Sequence, residues 1–329
     1  MFKTINARSS IYYAQSSIQK IMDVLSDILR SVHLSGGVYF RCEFTAPWGM
    51  EMKPTPVAEF HVVVKGNCWL RMSGRSDAIP LQGGDLVAFP HGDAHTLLDA
   101  PDGIALPAEE ILHGQNLDHY GPVTYGGNGL PATVLCGYFQ FDRNSPHPLV
   151  AALPSLIHIH RTAAYDFAWL QTALNFMIHE TKAARPGAEA VVNRLVEVLF
   201  IQMVRAYVER TEAPPGMLSA ISDRQIGAAL QLMHQSPQDP WTLATLARQV
   251  GMSRSAFAAR FNQLVGQTPI QYLTYWRMQK ARGLLSETRL GTGTIAEQVG
   301  YQSEVAFAKA FKKAVGMGPG AYRRGPPRK

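Results

Sequence analysis

A duplication constrains this chain more than any other feature. Residues 250–261, VGMSRSAFAARF, return as residues 299–311, VGYQSEVAFAKAF. Gly251 and Gly300 are 49 positions apart, Phe257 and Phe307 are 50 apart. The second copy therefore has one extra residue, in its turn or at the start of its second helix. In the first copy Thr242 caps a short helix with Leu243, Leu246, Ala247 and Val250 on one face. Gly251 turns the chain, Ser253 caps the next helix, and Phe257 and Phe261 pack at i, i+4. In the second, Thr294 and Glu297 have capping-box spacing, Gly300 turns the chain, and Phe307 and Phe311 repeat the pair. Gly266, Pro269 and Tyr272 recur as Gly316, Pro319 and Tyr322. Between the copies, Pro269 suits the first turn of a longer helix. Its apolar positions Ile270, Leu273, Ala281, Leu284 and Leu285 are expected to fix the spacing of the two units.

A short helix, a glycine turn and a second helix form the pattern that lays the second helix in a DNA major groove. The charge distribution agrees. Residues 223–329 hold 15 Lys and Arg against 5 Asp and Glu, whereas the other 222 residues hold 16 against 20. A basic third on an acidic body suits a polyanion-binding module; the plainer alternative is a solvated surface. The frames LAxxVGMSxSxFxxxF and IAxxVGYxSxxxFxxxFKKxxGxxPxxY lie within residues 223–323. That segment resembles the DNA-binding domain of the AraC-type transcription regulators, two helix-turn-helix units joined by a long helix.

The resemblance implies contact with double-stranded DNA through units at about residues 239–266 and 291–316. It turns Ser255, Ala258 and Ala259 toward base edges, beside Arg254. Many relatives carry arginine where this chain has Ala259, so the resemblance does not carry the strong arginine–guanine pair over to this position. Arg260, one place along, is expected to reach a phosphate or to pack its stem against the domain. The second helix offers Ser303, Glu304, Val305 and Lys309, with Lys309 at a basic position of the family. Lys312, Lys313, Arg323 and Arg324 read as phosphate contacts that position without specifying sequence.

The N-terminal half has different chemistry. Residues 17–29 carry a helical apolar stripe. Then GVYFRCEF, EFHVVVKG, NCWLRM, DLVAFP and ATVLCGYFQF alternate with Gly, Pro, Asn and Asp, as short strands and turns do. Their spacing predicts a small antiparallel sandwich or barrel; residues 125–129 read as a loop. GDLVAFPHGDAHTLLD, residues 84–99, resembles the second cupin motif through Gly84, Pro90, Gly92 and His95, with Asp99 where the family has Asn. Glu59 and Gly66 fit the tail of the first motif, whose paired histidines are replaced by KPTP. With PWGM, FHVVVKG and TVLCGYFQFD, residues 17–142 are similar to the cupin-type sensor domain of one AraC-type subfamily.

From residue 165 the period is helical again. One face runs through Phe167, Leu170, Leu174, Met177 and Ile178, another through Val191, Leu195, Val198, Leu199, Gln202 and Met203. These helices cap the barrel or pair with a second subunit, and TEAPPG at 211–216 reads as a linker. The expected fold is thus multidomain α+β. It has a tail at 1–16, a cupin-like β-barrel at 17–160, a helical linker or dimerisation region at 161–216, and an all-α tandem helix-turn-helix domain at 217–329.

Glu59 and His61 are two apart on one strand, so they share a face. If that face is the barrel interior, His61 and His95 meet, with Cys136 as a third ligand. Two imidazoles and a thiolate suit a divalent metal, zinc first. Glu59, His91 and His113 are secondary candidates, the two histidines lying in exposed turns. The alternative is hydrogen-bonded core histidines with Cys136 as a small hydrophobe. Thiol redox sensing by Cys42, Cys68 or Cys136 is a third reading.

Three cysteines make no disulfide framework and point to a reducing cytoplasm. No apolar run is long enough to cross a membrane, and no signal peptide is evident. A catalytic cupin fused to a DNA reader is the rival class; the incomplete first motif and the lack of an acid–base pair argue against it. The sequence is therefore expected to encode a cytoplasmic, homodimeric, sequence-specific transcription regulator. It would answer to a small molecule or metal, with RNA polymerase as a further partner.

Overall fold

A computed structural model describes residues 24–32, 34–75, 77–115, 122–141, 147–160, 168–183, 185–210 and 216–324. The tail at 1–16, the start of the stripe at 17–29, Phe167 and most of the TEAPPG linker lie outside the described residues. The chain forms two compact units. One contains the described residues between 34 and 141 and between 153 and 210; the other contains 24–32, 147–152 and 216–324. This grouping differs from simple chain order, in which 17–160 form the barrel domain. Helix α1 (Val24–Ser31) packs on the helical unit instead.

The barrel unit is made of two facing sheets. Its elements in order are β1 (Leu34–Thr45), β2 (Gly49–Met52), β3 (Ala58–Lys65), β4 (Asn67–Met72), β5 (Ala78–Gln82), β6 (Leu86–Phe89), β7 (His95–Leu98), β8 (Leu106–Pro107), α2 (Ala108–Leu112), β9 (Pro122–Gly126) and β10 (Pro131–Phe141). Helix α3 (Pro148–Ala151) belongs to the helical unit, and β11 (Ile157–Ile159) returns to the barrel. The sheets run β11-β6-β3-β10-β1-β9 and β5-β4-β7-β2-β8. Most pairs are antiparallel, as expected. Two edge pairs, β1·β9 and β2·β8, are parallel.

One of these edges corrects a reading. Tyr125 and Gly126 end strand β9 and are not loop residues. The backbone of Thr45 passes so close that a Cβ at Gly126 would lie 1.8 Å from its carbonyl oxygen, and Gly126 has φ of 118°. The glycine permits the strand pairing there.

Strand alternation sends Cys42, Phe44, Val63, Val87, Phe89, Val134 and Cys136 inward, against Met50, Leu70, Leu81 and Leu97 of the second sheet and Trp48 just before it. The outer face of the six-stranded sheet is covered by α5 (Ala188–Arg210), which follows α4 (Ala168–Ala183). Phe200 of α5 meets Phe139 and Phe141 edge-on at 5.3 Å each, and Val192, Val196, Leu199 and Met203 are buried along the same helix. The expected stripe through Leu199 and Met203 is the buried one, whereas Val191 and Val198 stay about 40% exposed.

The helical unit continues as α6 (Met217–Ser222), α7 (Arg224–Gln235), α8 (Leu243–Gln249), α9 (Arg254–Val265), α10 (Pro269–Glu287), α11 (Thr292–Gln298), α12 (Glu304–Val315) and α13 (Pro319–Arg324). Pro269 opens α10 and Pro319 opens α13, while Gly266 and Gly316 end α9 and α12 in the left-handed region. Ile270 does not join the spacing core. It sits on the outer side of the first turn of α10, 41% exposed; Tyr272, Leu273, Trp276, Met278, Ala281 and Leu285 are the buried positions.

Candidate nucleic-acid interface and buried histidine cluster

Each helix-turn-helix unit is set by local chemistry. Thr242 and Thr245 form a reciprocal capping box at α8, and Ser253 caps α9 through the Ala256 amide. The second unit departs from expectation at its start. Helix α11 begins at Thr292 with Gly291 as an extended cap residue, so Thr294 lies within the first turn and makes no cap with Glu297. Ser303 caps α12 through the Ala306 amide. One residue separates Gly251 from the cap Ser253, two separate Gly300 from Ser303; the extra residue is therefore in the turn.

Both turns close in the same way. Gly251 and Met252 donate to the carbonyls of Arg248 and Ala247, as Gly300 and Tyr301 donate to those of Glu297 and Ala296. The two phenylalanine pairs are equally matched, with ring centroids 5.6 Å apart in each. Arg277 of α10 joins the units. Its Nε donates to the Pro237 carbonyl at 2.7 Å, one terminal nitrogen donates to Asp239 O at 2.9 Å, and the guanidinium stands 5.9 Å from the Tyr301 ring centroid. A side chain at Gly300 would collide with it, since a Cβ there falls 2.7 Å from that guanidinium.

The expected DNA-facing residues lie on the open faces of α9 and α12. Arg254, Ser255 and Ala259 are exposed and Ala258 is half-buried; Ser303, Glu304, Val305, Lys309, Lys312 and Lys313 are all exposed, Val305 at 79%. Two arginines are already engaged. Arg260 donates through Nε and a terminal nitrogen to Asp223 Oδ2 at 2.9 and 2.5 Å. Of the two expected outcomes for it, the structure places the side chain against the domain. Asp223 also caps α7, its Oδ1 accepting from Gln225 and Ile226, a role that sequence reading missed. Arg323 donates to the Leu290 carbonyl at 2.5 Å, while Arg324 is exposed.

In the barrel, β3, β7 and β10 bring Glu59, His61, His95 and Cys136 together. His61 Nε2 lies 2.7 Å from His95 Nε2, His61 Nδ1 lies 3.1 Å from Cys136 Sγ, and His95 Nδ1 lies 2.8 Å from the Asp93 carbonyl. A carbonyl only accepts, so His95 Nδ1 carries a proton. With both rings neutral, His95 Nε2 accepts from His61 Nε2, and His61 Nδ1 accepts from the Cys136 thiol. Burial holds the rings neutral: it pushes His61 well below the usual imidazole range, with His95 adding to the shift, and His95 down to about 4. Phe89 stacks on His95 at 3.5 Å and fixes its plane.

Cys136 does not sit where a third ligand to the His61–His95 pair would. It meets Nδ1, the ring nitrogen turned away from His95. A carboxylate oxygen of Glu59 and one nitrogen of each ring form a set lying within 4.8 Å of one another, a set that Cys136 does not join. Glu59 Oε2 is buried without a hydrogen-bond partner, and burial lifts the carboxyl to about 7 against a hydrogen bond from Thr55. His91 is exposed with Nε2 2.8 Å from the Leu153 carbonyl, and His113 ends α2 on the surface; neither joins the cluster.

The thiols have separate surroundings. Cys42 and Cys136 are 4.0 Å apart at sulfur, and all three cysteines are buried and unpaired. Hydrogen bonding with Cys42 and burial hold Cys136 well above the usual thiol range, and burial pushes Cys68 up to about 12. Such thiols have little thiolate character. Beside Thr55, a cleft of about 670 Å³ opens between Pro54, Met72, Arg75, His91, Asp93 and Leu156.

A cupin barrel and a tandem helix-turn-helix unit in one chain define a DNA-binding regulator with a sensor-type domain. Comparison with known proteins agrees. The Cupin family model matches residues 23–209, and a Helix-turn-helix domain model matches residues 246–325. The transcriptional regulator AlkR of Acinetobacter baylyi is 32% identical over 92% of this chain and 99% of its own. An AraC-like transcription regulator from Streptomyces antibioticus is 30% identical over 93% of this chain and 99% of its own. A solved DNA-binding domain of AdpA in complex with target DNA is 29% identical over 31% of this chain and 91% of that one, with a TM-score of 0.30. The chain belongs to the AraC-type family of transcription regulators, and it is a regulator, not an enzyme. No helix among the described residues is long and apolar enough to cross a membrane.

Proposed function

We propose that this cytoplasmic, homodimeric regulator reads two successive major grooves of an operator and that a divalent metal in its barrel is part of the signal. The observation that carries the DNA reading is the matched geometry of the two units, including the Arg277 clamp that fixes their spacing. Ser255, Ala258 and Ala259 face bases from α9, the alanines suiting thymine methyls. Ser303, Glu304, Val305 and Lys309 face bases from α12, and Arg254, Lys312, Lys313 and Arg324 take phosphates. RNA polymerase is the partner through which an operator-bound regulator would act.

The donor set suits zinc: two imidazoles and the Glu59 carboxylate, whose Oε2 has no hydrogen-bond partner, with a fourth position open. An ion there would replace the proton the two rings now share. Ligation at about 2.0–2.1 Å would spread the Nε2 atoms to roughly 3.3 Å. Cys136 and the Asp93 carbonyl would then accept from the two Nδ1–H groups and hold the rings, as outer partners of metal-bound histidines do. For the ion to act as signal, it must bind two states of the protein with different affinity.

The test is a footprint on a genomic fragment selected by the full-length protein, before and after chelation. Protection of two adjacent major grooves, about one helical turn apart, is the expected result. Protection of a single groove would overturn the tandem reading. Metal content by plasma mass spectrometry, near one ion per barrel cluster and lost in His61→Ala/His95→Ala, checks the barrel. No ion at that cluster after incubation with zinc would leave the histidines as a hydrogen-bonded core.

A further inference from the structure

The basic side chains on the two reading helices are Arg254 and Arg260 on α9, and Lys309, Lys312 and Lys313 on α12. Among the described residues, Arg260 alone of these has a carboxylate within ion-pair distance. Its partner is Asp223, which lies 37 positions earlier and caps α7.

The Asp223 carboxylate is divided between two tasks. Oδ1 accepts from the Gln225 and Ile226 amides at 3.0 and 2.8 Å, closing the first turn of α7. Oδ2 accepts from Arg260 Nε and a terminal nitrogen at 2.9 and 2.5 Å. The backbone of Asp223 is engaged as well: its amide donates to the Ser219 carbonyl at 3.0 Å, and its carbonyl accepts from the Gly227 amide at 2.8 Å. The acid is therefore fixed without help from the arginine, and its side chain is 11% exposed against 53% for Arg260. A fixed acceptor spares the pair part of the ordering cost that makes ordinary surface ion pairs weak. Two charge-assisted bonds to one oxygen then hold the guanidinium. Helix α7 reaches the first unit a second time through Gln225, whose Nε2 donates to the Val250 carbonyl at the end of α8 at 3.1 Å.

We propose that Asp223 is an internal counter-charge that keeps Arg260 off the DNA backbone and so lowers the sequence-independent affinity of the first unit. The proposal rests on the reading in which α9 lies on DNA. A guanidinium free to meet a phosphate raises affinity for every duplex, because phosphate contacts carry no sequence information. With Arg260 neutralised inside the unit, α9 keeps Arg254 as its unpaired cation, whereas α12 keeps Lys309, Lys312 and Lys313. The two units are then electrostatically unequal. The second supplies most of the general attraction to DNA, and the first adds binding chiefly where its small side chains fit the bases.

The test is the salt dependence of binding of full-length protein to a short random-sequence duplex, from about 50 to 200 mM salt. Asp223→Asn keeps the α7 cap, since asparagine caps as well as aspartate, but turns an amide N–H2 toward the guanidinium. Asp223→Ser is a second variant that keeps a cap and removes the charge. Both should bind the duplex more tightly than wild type with a slope steeper by about 0.9, so that their advantage shrinks about 3.5-fold across that range. Arg260→Ala, at a half-exposed side chain, should leave the slope unchanged, and Asp223→Asn/Arg260→Ala should return it to the wild-type value. A shallower slope in Arg260→Ala would mean that the arginine already holds a phosphate, and would overturn the proposal. So would a wild-type slope in both Asp223 variants, or a steeper slope that persists in the double variant. An α9 that stays off DNA altogether would show separately, as protection of a single groove in the footprint.

Discussion

In α9 the residues turned to solvent include Arg254, Ser255, an alanine at 259 and an Arg260 already held by Asp223; in α12 they include Glu304, Val305, Lys309, Lys312 and Lys313. The backbones beneath are alike in caps, turn bonds and phenylalanine geometry. Duplication thus preserved the scaffold and left the reading surface free to diverge. The second helix carries long polar and charged groups that can choose among bases. Beyond Arg254 in its first turn, the first offers mainly small side chains.

The largest effects should test the shared scaffold. Phe257→Ala and Phe307→Ala remove fully buried rings and should each destabilise by about 3–5 kcal/mol, seen in chemical denaturation. A mild loss in only one of them would break the equivalence of the units. Next is the clamp: Arg277→Ala strands two carbonyls and should cost about 2 kcal/mol, with a footprint that loses protection over one groove first.

The comparison sharpens on the DNA side. Lys309→Ala should change preference among operator variants by about 1–3 kcal/mol, whereas Lys312→Ala/Lys313→Ala should weaken all sequences alike and flatten the salt slope by about 0.9 per lost contact. A uniform loss for Lys309→Ala, or unchanged slopes for the pair, would reverse these roles.

The smallest effect concerns pH and the helical unit. His234 is fully buried, with Nε2 2.8 Å from the Tyr272 hydroxyl and its ring stacked on Trp276 at 3.7 Å. Asp27 of α1 faces Nδ1 at 3.7 Å. Burial lowers the His234 pKa, with Lys280 adding to the shift and Asp27 opposing it. The unfolded chain therefore takes up this proton first, near pH 6.5. Its contribution to stability is present above that pH and is lost as pH falls toward the depressed folded value, at up to about 1.4 kcal/mol per pH unit. Unfolding midpoints measured from pH 7.5 to 5.5 should fall, and His234→Gln should show a shallower dependence. Equal slopes would place the pH dependence elsewhere.

Much of the helical unit was legible because its signals are local. Thr242, Ser253, Pro269 and the i, i+4 phenylalanines act within a few residues of themselves. The failures there were also local: Thr294 fell inside a helix that begins earlier, and Ile270 landed on the open side of the first turn. In the barrel, the five long apolar runs announced strands, but β2, β5, β7, β8, β9 and β11 were too short or too polar to stand out. In the helical unit, the pairing of Arg260 with Asp223 carried no signal, because the two lie 37 positions apart and meet only through helix packing.

By itself, the sequence determined the tandem helix-turn-helix plan, its basic charge, and a sheet-rich domain before it, since caps, turns, periodicity and net charge are properties of neighbouring residues. Only the tertiary structure decided which nitrogen of His61 meets Cys136, that Glu59 joins His61 and His95 in one cluster, that Arg260 is held by Asp223, and that α1 packs on the helical unit. Those outcomes depend on strand register and side-chain direction across long separations. A one-residue change of register would turn each of these barrel side chains to the other face of its sheet.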